Sequence, residues 1–385
     1  MKRSLFLKSL AITITVIVFS GIFLSCQTQK YTAPVLKEIS FLVPENIDIK
    51  DTKPFFENWH QAILSLENKE ITINSDPWFL KKTETLHSHF FWDGDNHIFS
   101  FNPYLDEILH SADRGDQLKI NQSHIMSPYY VFQRLAPDMH VLVYLPKQAD
   151  KRNEIHVEFF GTKSERLTLN PTIENVHSLH ILQPIAVKKI NNTLYFYFYF
   201  MEMQSRGVNY GILSASYDFH TIQWNFITNN LQPAQLKSPN AFALLENDIF
   251  FNNRNFEISS INLNSKKIHN WDDLNQRINA FRNNLIQNDT KEEMISFYAQ
   301  ESTLVIQYIH ENLNLNHEQK LNSFSSISSY SSMTIFLSDA KLIAILYHDN
   351  QSVFIETENS SDLLEIPEWY KKPNAWIYAI YSTLP

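Results

Sequence analysis

Residues 193–203 read TLYFYFYFMEM, and Tyr195 to Phe200 carry an aromatic at every position. In a strand, successive side chains point to opposite faces, so this run offers rings to both sides of a sheet. An antiparallel hairpin with two apolar faces cannot stand alone in water, and its open edges invite pairing with other chains. Stacking such sheets face to face buries both sides at once. The run therefore demands neighbours on two sides, which a repeated arrangement of sheets supplies.

The rest of the chain supplies candidates for those neighbours. Period-two runs joined by polar turns recur as HSHFFWDGDNHIFSF, MHVLVYLP with EIHVEFFG, NDIFFNN with FEISSINLN, STLVIQYIH, KLIAILYHD with SVFIETEN, and AWIYAIYST. Taking Ile98, Val141, Leu194, Ile249, Leu304, Leu342 and Ile377 as equivalent points gives steps of 43, 53, 55, 55, 38 and 35 residues. Propeller blades of four antiparallel strands span about 40–50 residues, with loops lengthening some. The expectation is an all-β chain forming a β-propeller of about seven blades, with six or eight blades or a large β-sandwich left open. The last run, Ala375 to Thr383, is expected to complete a blade begun near the N-terminus.

Two stretches break the pattern. Over residues 51–69 (DTKPFFENWHQAILSLENK), Asp51 or Thr52 can cap a helix and Pro54 suits its first turn. Phe55, Trp59, Ala62, Ile63 and Leu66 then share a helical face. A helical insert is expected near 271–300, with Trp271, Leu274, Ile278, Phe281 and Leu285 on one face. The capping box Thr290-Lys291-Glu292-Glu293 would open a second short helix there. Phe, Tyr and Trp number 28, 17 and 7, enough for a large core. With only 6 glycines, asparagine is expected at many positive-φ turn positions.

The start of the chain concerns address. Lys2, Arg3 and Lys8 precede an uncharged run from Ser9 to Leu24, about right for a secretory h-region and short of the roughly 20 apolar residues of a bilayer span. The run closes on Phe23-Leu24-Ser25-Cys26, and Cys26 is the single cysteine. This resembles the lipobox of bacterial lipoproteins, in a relaxed form with Phe23 where the family usually has Leu. The resemblance implies cleavage before Cys26 and acylation of that residue, giving a signal peptide over 1–25, a tether over 26–37 and one β-propeller-like body over 38–385. It implies a cell-envelope protein anchored to a membrane outside the cytoplasm. Gln27, which is not the Asp that favours inner-membrane retention in that family, points to the outer membrane. An uncleaved signal anchor is the competing reading. With Cys26 acylated, no thiol remains for a disulfide.

The charge balance excludes one partner class. There are 32 Lys and Arg against 41 Asp and Glu, a net charge of −9, and losing the three cations of the signal peptide would leave −12. Nucleic-acid binding rests on cations neutralising phosphates, so it is not expected. The same balance favours standing off anionic lipid.

Several local motifs are chemically suggestive. His87 and His89 fall on one side of a strand and could offer two imidazoles to a metal, with Asp93 or Asp95 adding an oxygen across the hairpin. A structural hairpin turning at Asp93-Gly94 accounts for the same residues, so no metal or cofactor is expected. Arg114-Gly115-Asp116 resembles the integrin-binding tripeptide of adhesion proteins, although Gly-Asp is also ordinary turn material. Trp271, Trp376, the Tyr195–Tyr199 strand and especially Trp369-Tyr370, in the Pro-flanked stretch EIPEWYKKPN, could stack on sugars or anchor a partner. There is no G-x-S-x-G elbow, no glycine-rich phosphate loop and no carboxylate pair singled out by spacing. The functional expectation is a lipid-anchored scaffold that binds a protein or an envelope component without catalysis. The alternatives are an extracytoplasmic enzyme acting on carbohydrate or peptide, and a ligand- or metal-binding lipoprotein.

Overall fold

The computed structural model describes residues 38–381 except 45–46, 51–52, 77, 85–88, 93–96, 103–106, 113–116, 122–125, 137–138, 147–153, 162–164, 172, 174–177, 206, 237–239, 286–290, 301, 313–330, 339–340, 349–352, 358–359 and 368–378. The described strands form six antiparallel sheets. Sheet 1 holds Glu38–Pro44, Ile47–Lys50, Lys53–Ser65, Glu70–Ile73, Trp78–Glu84 and the C-terminal Ile380–Tyr381. Sheet 2 holds His89–Trp92, His97–Asn102, Glu107–Ala112 and Gln117–Asn121. Sheet 3 holds Met126–Ala136, Met139–Pro146, Ile155–Gly161 and Glu165–Leu169. Sheet 4 holds Leu179–Ile190, Thr193–Gln204, Gly207–Tyr217 and Ile222–Leu231. Sheet 5 holds Phe242–Leu245, Asp248–Asn252, Ile258–Asn262 and Ile268–Asn270. Sheet 6 runs from Lys291–Gln300 through Thr303–Asn312, Ser331–Ser338, Lys341–His348 and Val353–Thr357 to Ser360–Leu363.

Sheets 2 to 5 are meanders of four strands, each strand pairing with the next in sequence. The first strands of sheets 3 to 6 line up. Met126–Ala136 lies beside Leu179–Ile190, which lies beside Phe242–Leu245, which lies beside Lys291–Gln300. Ile380–Tyr381 lies beside His89–Trp92, and Tyr381 meets Tyr298 of sheet 6 with ring centroids 5.6 Å apart. Successive meanders arranged around their first strands are the architecture of a β-propeller. The C-terminal strand pairs with the first one in the register Phe41↔Tyr381 and Leu42↔Ile380, so the expected closure by the last run is formed.

The aromatic strand does what its alternation requires. Phe196, Phe198 and Phe200 enter one core with Val141, Val143 and Val157 of sheet 3. Tyr197 and Tyr199 enter another with Phe242, Ile249 and Phe251 of sheet 5. The next interface joins Phe250 and Ile258 of sheet 5 to Leu304, Ile306 and Ile335 of sheet 6. There the helix α1 (Asp272–Leu285) inserts Leu274 and Ile278. Asn275 pins it: its side-chain oxygen accepts from the Ile258 N–H at 2.7 Å and its amide donates to the Ile258 carbonyl at 3.1 Å.

Three expectations are corrected. The seven blades are not formed, because Leu342 opens the fourth strand of sheet 6 rather than a new sheet; Ile377 lies outside the described residues. The helix expected over 51–69 is instead the 13-residue strand Lys53–Ser65, which pairs with Glu38–Pro44 on one side and with Glu70–Ile73 and Trp78–Glu84 on the other. The capping box at 290–293 opens no helix, since Lys291–Gln300 pairs along its whole length with Thr303–Asn312. In both cases backbone bonds to neighbouring strands override a local helical signal. Positive φ is also taken by more residue types than expected: Asn191 adopts it, and so do Lys69, Phe219, Glu246, Phe256 and Lys266.

Candidate functional site

Two places invite a ligand. The first lies between the inner strands of sheets 3 to 6. Gln133 on sheet 3, Ile185 and Ala186 on sheet 4, Asn240 and Phe242 at sheet 5 and Phe297 on sheet 6 converge on a space of only about 40 Å³. Its lining is apolar apart from the two amides, and the Gln133 side-chain oxygen already accepts from the Val187 N–H at 2.9 Å. Such a space holds a few waters and no larger substrate.

The second place is a cleft of about 450 Å³ between the outer part of sheet 5, the start of α1 and sheet 6. Strand Ile268–Asn270 runs into α1 through Trp271, and this places His269, Trp271, Asp272, Asp273 and Arg277 along one wall. Leu337 and Leu342 face them from sheet 6. The Trp271 indole N–H donates to the Ser260 hydroxyl at 3.2 Å, and its ring lies 5.4 Å from Phe250 and edge-on to His269 at 5.0 Å. One flank of the indole is thus fixed in the core.

Arg277 is held from sheet 6. Its guanidinium donates to Glu356 at 2.8 Å, and the other carboxylate oxygen accepts from the Tyr347 hydroxyl at 2.8 Å. Burial, then the hydrogen bond to Glu356, pushes the Tyr347 hydroxyl up to about 12, so it stays a donor throughout the physiological range. Being partly exposed, the Arg277–Glu356 pair contributes orientation more than stability.

A further charged cluster lies within sheet 3. Glu158 is 7% exposed and accepts from the Tyr144 hydroxyl at 2.8 Å and from Arg166 at 2.6 Å. Tyr144 stacks on His156 with centroids 5.3 Å apart, and burial followed by the Glu158 charge raises its pKa. The arrangement reads as a compensated buried carboxylate.

Of the residues singled out from the sequence, His89 opens a strand that pairs with His97–Asn102, the hairpin expected of that region. Cys26, His87, Asp93, Asp95, Arg114, Gly115, Asp116, Trp369, Tyr370 and Trp376 lie outside the described residues. Tyr197 and Tyr199 are core residues, 5% and 1% exposed. Among the described aromatic candidates, Trp271 lines a cleft. Its partners were not readable, because Arg277 and Glu356 meet across 79 residues of sequence. Among the described residues no group of three His, Cys, Asp or Glu side chains is placed to hold a metal ion.

These features define an all-β protein of the β-propeller class, with an open cleft at a sheet-to-sheet seam among the described residues. No known family profile matches the chain, and no curated protein matches its sequence. Among solved structures it is similar to the lignostilbene dioxygenase of Pseudomonas brassicacearum, at 8% identity over 79% of this chain and 87% of that one, with a TM-score of 0.38. It is similar also to BamB from Moraxella catarrhalis, at 8% identity over 83% of each chain with a TM-score of 0.29. The WD40 domain of SCAP from fission yeast matches at 10% identity over 84% and 83% of the two chains, with a TM-score of 0.33. The propeller assignment rests on the strand pairing above and takes nothing from these scores.

Proposed function

We propose that this chain is a lipid-anchored, extracytoplasmic β-propeller that acts as a scaffold, binding a protein or an envelope component and doing no chemistry. The anchor is acylated Cys26, held on the outer membrane in preference to the inner, with residues 26–37 as the tether. Several acyl chains on one cysteine hold a protein far more firmly than a single chain, at about 0.8 kcal/mol per buried methylene.

The observation that carries the scaffold reading is where space for a ligand lies among the described residues. Between the inner strands of sheets 3 to 6, Ile185, Phe242 and Phe297 leave only about 40 Å³. Among the described residues, a space large enough for a ligand lies at the seam between sheets 5 and 6, lined by a fixed indole and a braced arginine. That is equipment for holding rather than for converting a ligand. Two measurements test it. Cells fed a radiolabelled fatty acid should label the parent chain and not Cys26→Ala; equal labelling of both refutes the anchor. Affinity capture of the tagged full chain from solubilised envelopes should recover a specific component, and repeated recovery of none refutes the scaffold.

A further inference from the structure

The cleft between sheets 5 and 6 combines two kinds of surface. The Trp271 indole and the side chains of Leu337 and Leu342 are apolar, whereas Asp272, Asp273 and Arg277 are charged. We infer that this cleft binds one or two pyranose rings of an oligosaccharide, an inference that rests on the binding-scaffold reading and names its ligand class.

A pyranose ring has a flat face of C–H groups and a rim of hydroxyls, each of which both donates and accepts. The C–H face covers indole and leucine; the hydroxyls donate to Asp272 and Asp273 and accept from Arg277. Neither aspartate is engaged by a donor among the described residues, so both retain their acceptor capacity for a ligand. The volume of about 450 Å³ lies in the range of small-molecule sites and takes two rings at most.

The wall is organised before any ligand arrives. Asn275 ties α1 to the Ile258 backbone through two bonds, Leu274 is buried beside it, and Glu356 with Tyr347 fixes the guanidinium. Less ordering is then left to occur on binding. Other ligand classes fit less well. A metal ion would need a three-ligand cluster, and none exists among the described residues. A peptide added as a strand would find only the three-residue edge Ile268–Asn270, too short for much backbone pairing.

The test uses the full chain in a polyoxyethylene detergent without a sugar headgroup, titrated calorimetrically with maltohexaose, cellohexaose and chitohexaose. Saturable binding of at least one is expected, with affinity falling tenfold or more in the Asp272→Asn/Asp273→Asn double variant. Trp271→Phe should lower affinity severalfold, and a thermal melt coincident with the parent separates that loss from misfolding. No saturable heat with any of the three, or binding unchanged in the double variant, overturns the inference. So does saturable binding of hexalysine that the double variant abolishes, since the carboxylates would then serve a basic peptide. Capture of an envelope partner with no sugar bound leaves the scaffold standing and ends the glycan assignment; failure of both ends both.

Discussion

Gly211 is a point of close approach in the aromatic sheet, and Gly211→Ala tests whether sheet 4 is drawn together as described. A Cβ at position 211 would lie 2.1 Å from the Thr228 carbonyl oxygen and 2.7 Å from two ring carbons of Phe200. Reaching even a 3.0 Å contact means opening the first gap by about 0.9 Å, and the obstructing atom is backbone in the neighbouring strand. That strand is already irregular there, with register shifts on either side of Ile212. The Phe200 ring has no slack either, being 0% exposed in the core shared with sheet 3. Overpacking of this kind costs about 1–3 kcal/mol, and the backbone obstruction puts this case near the top. The assay is urea unfolding followed by tryptophan fluorescence, with Val208→Ala as a control on the same strand at an exposed site. The control should lie within about 0.5 kcal/mol of the parent. A Gly211→Ala midpoint matching the parent at unchanged slope refutes the close approach.

Three further outcomes follow from the same packing. Phe198→Ala empties a site with 0% exposure and should cost about 3–5 kcal/mol in the same unfolding assay, whereas a loss below 1 kcal/mol would mean the sheets do not stack on that ring. Asn275→Ala removes both bonds that hold α1 to Ile258 and strands buried backbone groups, so a loss of about 1–3 kcal/mol is expected, with early exposure of α1 in hydrogen exchange. Burial holds the Tyr197 and Tyr199 hydroxyls up at about 12. The unfolded chain, titrating near 10, then releases protons that the folded chain keeps. Stability is therefore intact below pH 10 and falls as pH rises from 10 through 12; phenolate absorbance showing every tyrosine titrating near 10 would contradict this burial.

Much of the fold was readable because it rests on alternation. Ile98, Val141, Leu194, Ile249 and Leu304 each fall on the second strand of a successive sheet, so that spacing measured a real repeat. Counting failed where sheets are not four-stranded. Sheet 6 keeps adding strands past Ser338, which turned Leu342 into a false sixth-blade marker. In sheet 1, Phe55, Trp59, Ala62 and Ile63 satisfy a helical period, yet past the buried Trp59 the burial alternates, with His60, Ala62 and Leu64 buried and Gln61 and Ile63 less so. Residue pattern alone could not choose between them, and pairing with strands on both sides did. The cleft was half legible. Trp271 and the acidic first turn of α1 were visible, but no local signal tells that Glu356 and Tyr347 will brace Arg277 from the next sheet.

The closure of the ring ties these points together. Sheet 1 is built from both ends of the described chain, since Glu38–Pro44 pairs with Ile380–Tyr381. Tyr381, 1% exposed, lies 5.4 Å from Phe41 on its own sheet and 5.6 Å from Tyr298 on sheet 6. Phe336 reaches it edge-on at 6.1 Å. Burial keeps its hydroxyl strongly protonated, so Tyr381 brings no charge to the seam. The two-residue strand contributes little pairing of its own, and the aromatic cluster supplies the contact area that holds sheet 6 to sheet 1. The interfaces of sheet 4 with sheets 3 and 5 use the same logic through the YFYFYF strand, whose side chains on opposite faces serve different neighbours.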